Sequence, residues 1–304
     1  MGPALQAKPL HAARWADLPE RGTPTLLRFS GWIALRLGRW AARLLLYPIT
    51  LYFVLTGRTA RASSREYLRR LGRSARWWQV FRHFYCFAAT ILDRVYLLKG
   101  DFRRFNVGVH EREILHQQIE TGQGCILLGS HLGSFEVLRA IGVSQQEFPL
   151  KVLMDVEHNE QISDFLDSLN AQIASTVIAP DRPDTLLKVK ESLDAGYLIG
   201  ILGDRPTSDG KTAQCDFLGG PATFPAGPII LAALMHCPII LFFGIYRGGN
   251  RYDIFFERLT DEVILNRDRR AEDIRHWIAK YVQRLEHYAH FAPYNWFNFY
   301  PFWD

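Results

Sequence analysis

The stretch CILLGSHLGSFEVLRAIG, residues 125–142, sets an apolar run directly against a polar one. Residues 125–129 read as a strand buried on both faces, because such a strand is apolar throughout instead of alternating. The run stops at Gly129, and Ser130 and His131 follow. In an open α/β sheet, ligands gather beyond the carboxyl ends of the strands, and His131 stands at such an end. Gly133 permits a tight turn and Ser134 is a good helix N-cap, so a helix is expected to begin near Phe135. Glu136 then falls in the first turn, where the helix dipole favours a carboxylate. Positions five apart on a regular helix diverge by about 140°. With His131 ahead of the helix, Glu136 is expected to reach back and orient the imidazole.

A carboxylate that orients a histidine forms two thirds of a hydrolase triad, with the imidazole taking a proton from a hydroxyl. No G-x-S-x-G elbow occurs in the chain. The economical reading makes the nucleophile a hydroxyl or amine of the substrate. Backbone N–H groups at the start of the Ser134 helix are placed to stabilise an oxyanion. A structural histidine beside a helix-capping glutamate is the plain alternative for so short a pattern.

Outward from this stretch, short apolar runs alternate with amphipathic ones. The pattern predicts strands over 105–109, 125–129, 150–154, 176–179, 198–202, 238–245 and 252–257. It predicts helices over 112–120, 135–141, 161–170, 184–194, 228–235 and 271–290. That is an α/β domain over residues 105–304, a central mixed sheet flanked by helices. Two other segments precede it, a polar one over 1–28 and a basic helical one over 29–104.

The charge is unevenly spread. Residues 1–110 hold 19 Lys and Arg against 5 Asp and Glu, a net +14, and residues 111–304 hold 17 against 26, a net −9. A basic front end calls for an anionic partner, either nucleic acid or anionic lipid. The apolar run 44–55 contains Pro48 and is shorter than the roughly 20 residues a membrane-spanning helix needs. Arg36, Arg39 and Arg43 interleave with Trp32, Leu35 and Trp40, the pattern of an interfacial or re-entrant anchor. A helical hairpin packed on the body is the alternative. Arg58, Arg61, Arg65, Arg69, Arg73 and Arg76 recur every three to four residues, a guanidinium row along one helix of the 58–104 segment. Beside an apolar segment, this row favours lipid headgroups over nucleic acid. The cysteines, Cys86, Cys125, Cys215 and Cys237, are too scattered for a zinc site or a disulfide framework. The histidines form no metal-ligand spacing.

Three further stretches accompany GSHLGSFE: GDRPTSDG at 203–210, CDFLGGPATFPAGPIILAALMHCPIILFFG at 215–244, and APYNWFNFYPFWD at 292–304. Together they resemble the lysophospholipid acyltransferase superfamily, and its lipid A lauroyl/myristoyl acyltransferase branch most of all. The matching positions are His131 and Glu136, then Asp204, then Phe217, Gly219, Gly220, Ala222, Thr223, Gly227, Leu231 and Ala232, and finally Pro293 to Trp296. The resemblance implies a membrane-associated acyltransferase with His131 as base and Glu136 as its carboxylate. It implies Ser130, Ser134, Asp204, Arg205 and Thr223 as residues around the substrate, with Arg205 suited to an anionic group. The implied acyl donor is a thioester on acyl carrier protein or coenzyme A, with no cofactor and no metal. The implied place is the cytoplasmic face of a bacterial inner membrane. An acyl hydrolase using the same pair, or an inert membrane adaptor, would share the motifs. Two stretches depart from the family pattern. Ser130 stands where the lipid A enzymes usually carry Asn, and the chain ends in aromatic residues where theirs end in basic ones. The acceptor is left open between lipid A, an aryl-polyene-type lipid and an aminoacyl lipid.

Overall fold

The computed structural model describes residues 24–144, 148–154, 175–180, 182–206 and 210–303. The expected helix over 161–170 lies outside the described residues. The chain opens with three helices, α1 (Pro24–Thr56), α2 (Arg58–Arg70) and α3 (Trp77–Leu98). The α/β body follows as β1 (Asn106–His110), α4 (Arg112–Glu120), β2 (Ile126–Gly129), α5 (Phe135–Ser144), β3 (Leu150–Leu153) and β4 (Val177–Ile178). It continues as α6 (Thr185–Asp194), β5 (Leu198–Leu202), β6 (Thr212–Phe217), β7 (Gly220–Pro225) and α7 (Gly227–Met235). Its last elements are β8 (Ile239–Gly248), β9 (Arg251–Thr260) and α8 (Arg270–Phe291), and residues 293–303 form an irregular strap after α8.

Seven strands form one mixed sheet in the order β1-β9-β8-β2-β5-β3-β4, in which only β8 and β9 pair antiparallel. β2 sits at the centre between β8 and β5, which is why its sequence is apolar throughout. Ile126 and Leu128 face a core with Tyr281, Leu285 and Trp296, while Leu127 faces a second core with Leu92, Val137 and Leu138. α2 and the front of α3 belong to the first core through Tyr67, Leu68, Val80 and Phe84.

The helix expected to carry the whole arginine row from Arg58 to Arg76 is broken. Gly72 and Ala75 take left-handed backbone, with φ of 72° and 47°, and the chain turns there between α2 and α3. Arg58, Arg65 and Arg69 therefore lie exposed on α2, while Arg73 and Arg76 lie exposed at the turn. A two-stranded hairpin, β6–β7, also escaped the sequence pattern. Its turn places Leu218 and Gly219 at φ 49° and 74°, the geometry of a tight hairpin turn in which glycine is favoured. Leu218 tolerates it with its N–H donating to Glu286 Oε2 at 2.8 Å. Pro221 and Pro225 disguise β7 as a loop in the sequence, and they are accommodated because the ribbon has free edges.

α1 is bent at Gly38, whose φ is 83°. Beyond the bend it buries only a narrow stripe, Ala42, Leu46, Thr50 and Val54, spaced four apart. Much of the remaining surface is apolar and exposed, with Trp40 at 77%, Tyr52 at 62% and Leu55 at 65%. Buried Asp93 of α3 ties the helix down. It accepts two hydrogen bonds from Arg39, at 2.7 and 2.8 Å, and one from the Tyr252 hydroxyl at 2.9 Å, and the Arg43 guanidinium lies 3.9 Å away. Among the described residues no single helix is long and apolar enough to cross a membrane, while Gly38–Thr56 and Arg58–Arg70 form a pair bent by 95° that passes that test together.

Candidate active site

Parallel pairing of β2 with β5 aligns Gly129 with Leu202. His131 and Asp204 each lie two residues past those partners, so the register alone brings them side by side at the carboxyl edge of the sheet. The Gly203 N–H extends the ladder to the Gly129 carbonyl at 2.9 Å.

Asp204 is fully buried and accepts four hydrogen bonds. Its Oδ1 lies 2.7 Å from His131 Nδ1 and 3.0 Å from the His131 backbone nitrogen. Its Oδ2 accepts from Trp296 Nε1 at 2.9 Å and from Asn298 Nδ2 at 3.0 Å. Burial alone would raise its pKa, but the charge and hydrogen bonds of His131, with the Arg205 guanidinium behind them, hold it down at about 2. A carboxylate with four donors around it has no proton to give. The proton on His131 Nδ1 is therefore the imidazole's own, and Nε2 carries the free lone pair. Burial, and then the nearby Arg205 charge, lower the His131 pKa below its usual value, against the opposing pull of Asp204. His131 is thus a neutral imidazole at neutral pH, with 27% of its side chain exposed.

The expected His131–Glu136 contact is not formed. Glu136 does lie in the first turn of α5. Its Oε1 is 2.7 Å from Arg94 of α3 and 3.8 Å from Arg139, and its side chain makes no hydrogen bond to the imidazole. Reaching His131 would strip this nearly buried carboxylate from two guanidinium groups, while Asp204 is delivered to the ring by strand pairing. Asp204 is the carboxylate that orients the imidazole, and Glu136 ties α5 to α3.

The loop from Ser130 to Ser134 is sewn to its neighbours. The Gly133 N–H donates to the Asn295 carbonyl at 2.7 Å, the Phe297 N–H to the His131 carbonyl at 2.8 Å, and the Ser134 N–H to the Gly244 carbonyl at 2.7 Å. The Ser134 N–H is therefore spent on the fold and is not among the helix-start N–H groups that could face an oxyanion. Ser130 and Ser134 are both buried. Gly133 combines a φ of 80° with an approach so close that a Cβ would lie 1.9 Å from the Gly244 carbonyl oxygen. Gly133→Ala is expected to cost more than the roughly 1–3 kcal/mol of an ordinary left-handed strain. A thermal melt checks this, and an unchanged Tm would contradict the close approach.

Arg205 is committed to the strap, donating from Nε to Asn298 Oδ1 at 2.6 Å and from Nη2 to the Phe297 carbonyl at 2.8 Å. Thr223 lies on β7 opposite Gln214, between buried Ala222 and Phe224, and makes no side-chain hydrogen bond to His131 or Asp204. The stretch Pro293 to Trp296 stood out in sequence only as a matching motif, and Asn295, Trp296 and Asn298 were given no role at the site. Their signal was present: two asparagines inside an aromatic run are candidates for buried, fully bonded polar groups.

No curated protein matches the chain significantly. A family model, described as bacterial lipid A biosynthesis acyltransferase, matches residues 87–304, which leaves α1, α2 and the start of α3 outside the match. The match spans well over half of the chain and takes in both members of the His131–Asp204 pair and the strap that holds them, and on it the chain belongs to the bacterial lipid A biosynthesis acyltransferase family, whose members transfer acyl groups to lipid acceptors.

Proposed function

We propose that this protein moves a fatty acyl or related acyl chain from a thioester donor to a hydroxyl or amine of a lipid or glycolipid acceptor, with His131 as general base. The carrying observation is the buried Asp204 carboxylate that pins Nδ1–H and leaves Nε2 free. Nε2 takes the proton of the acceptor hydroxyl as its oxygen attacks the thioester carbonyl. The tetrahedral intermediate then collapses, the carbon–sulfur bond breaks, and the departing thiolate recovers the proton from the imidazolium. Asp204 steadies that imidazolium throughout, without taking the proton itself.

The donor is acyl carrier protein or coenzyme A, and exposed Arg58, Arg65 and Arg69 are suited to an acidic carrier or to lipid phosphates. Association with the cytoplasmic face of a bacterial inner membrane is supported by the apolar outer surface of α1. Exposed Trp77 and Trp78 beside exposed Arg73 and Arg76 support it too, an arrangement favoured at a lipid interface. All four cysteines are free thiols, in keeping with a reducing compartment.

The first test is mass profiling of lipids from cells producing wild type or His131→Ala. A lipid heavier by one acyl chain, present only with wild type, is the expected result and identifies the acceptor. Free fatty acid without an acylated lipid would replace transfer by hydrolysis, and identical profiles from folded, membrane-bound proteins would overturn the proposal. In purified enzyme, activity is expected to rise with pH as the imidazole loses its proton. Because the His131 pKa is lowered, the midpoint of that rise should lie below the usual histidine value of about 6.5. A midpoint above 7 would contradict the assigned environment.

A further inference from the structure

The strap does more than close the core. Trp296 is fully buried, and its indole N–H and its backbone carbonyl bond to different neighbours. Its indole N–H holds Asp204 Oδ2 at 2.9 Å, while its backbone carbonyl lies 2.8 Å from Nε2 of His83, a fully buried residue of α3. A carbonyl only accepts, so His83 carries its proton on Nε2, and its Nδ1 accepts the Ser64 hydroxyl of α2 at 2.9 Å. Burial holds the His83 pKa down at about 4, so this ring is a neutral connector and not a second base. The indole is wedged between Tyr67 of α2 and Phe302, with ring centroids 5.0 and 4.7 Å away.

We propose that Trp296 is a positioning residue of the His131–Asp204 pair, and that Ser64 and His83 hold it in place from behind. The inference rests on the reading of His131 as the base, and goes beyond it by placing the setting of that base in the strap and the basic helices. Two N–H donors on Oδ2 draw negative charge away from the oxygen that faces His131. Losing one of them strengthens the attraction of the carboxylate for an imidazolium and raises the His131 pKa. It also frees the carboxylate to turn, which misplaces Nε2. The other titratable groups acting on the pair are Arg205 at the end of β5, Tyr281 of α8 and Tyr300 of the strap, while Glu136 is bound to Arg94 between α5 and α3. The variants below leave all of them in place.

The test is a ¹⁵N-histidine NMR titration of the full chain in detergent micelles, run beside steady-state kinetics, with His131→Gln and His83→Gln used to assign the signals. Wild type should show His131 as the Nδ1–H tautomer and His83 as the Nε2–H tautomer. Trp296→Phe keeps an aromatic ring and removes the donor. It should raise the His131 pKa by about half a unit to one unit, and lower kcat about ten- to a hundredfold with little change in KM. His83→Phe should move the pKa and kcat in the same directions, while His83→Gln, which retains a donor and an acceptor, should return both toward wild type. Should Trp296→Phe fail to fold, Ser64→Ala cuts the same chain of bonds by the loss of one oxygen, and it should shift the His131 pKa upward by a smaller amount. Variants that lower Tm but leave the His131 titration and kcat at wild-type values would overturn the proposal and reduce the strap to packing. The titration needs no substrate, so the positioning role stands or falls separately from acyl transfer, which the His131→Ala lipid profile decides.

Discussion

Asp204→Asn is expected to lower kcat by about 10³- to 10⁴-fold, the scale seen when the group that fixes a catalytic imidazole becomes an amide. The reason is specific to this site. Both carboxylate oxygens of Asp204 accept from two donors each, and an amide has only one accepting end. If the amide keeps its oxygen toward Trp296 and Asn298, its N–H₂ faces His131. Nδ1 must then accept, the proton moves to Nε2, and the base is lost. If the amide turns round, the tautomer survives, but two buried donors face an N–H₂ group at a cost of about 1–3 kcal/mol each. The first arrangement satisfies the strap and should prevail. A mass-spectrometric transfer assay together with a thermal melt checks both effects. Glu136→Gln is the companion variant. Glu136 bonds to Arg94 and not to the imidazole, so its effect on kcat should stay within about tenfold. A reversed order of the two effects would return the orienting role to Glu136.

The largest expected effect on stability comes from Asp93→Ala. Asp93 is fully buried, and Arg39 and Arg43 each keep only 14% of their side chains exposed. Removing the shared carboxylate takes the counter-charge from the Arg39 and Arg43 guanidinium groups, which keep only neutral acceptors in the Gly249 carbonyl and the Tyr246 hydroxyl, and leaves the Tyr252 hydroxyl without its acceptor. Loss of one partner from such a buried cluster costs about 3–5 kcal/mol, a fall in Tm on the order of 10 °C. The damage should fall first on the seam between α1 and the body, so limited proteolysis should cut the variant on the amino-terminal side of α3 before the α/β body melts. A loss below about 1 kcal/mol would show that the cluster behaves as a surface ion pair.

The His131 strand and turn were legible in sequence because they are local facts. An apolar run, a stop at glycine and a helix start after Ser134 lie within eleven residues of one another. The partner carboxylate was not, because Asp204 lies 73 residues away and reaches His131 only through the choice of β5 as the neighbour of β2. Local reasoning looked for the nearest acid along the chain and found Glu136. A parallel sheet supplies its acids from neighbouring strand ends instead. Both runs end alike, in Leu-Gly followed by Ser-His or by Asp, and that likeness was the available clue. The β6–β7 hairpin was hidden by its prolines and by a leucine in left-handed backbone, features that belong to a loop unless a second strand is known to lie alongside. The basic helices were legible as helices, but the break at 71–76 was not, since Gly72 alone does not announce a turn inside an arginine repeat.

The antiparallel contact of the strap with the His131 loop, which joins Leu132 to Trp296 and the Phe297 N–H to the His131 carbonyl, has a bearing on biosynthesis. Asp204 and Trp296 are separated by 92 residues. At a translation rate of about 5–20 residues per second, roughly 5–20 s pass between them. Throughout that interval the nascent chain holds the histidine and its carboxylate but lacks the ribbon that locks them. Under the proposed function, in which the first helices meet lipid and His131 is the base, the chain can settle on that surface before its base is set, and the setting is complete only once residues 295–298 have left the ribosome.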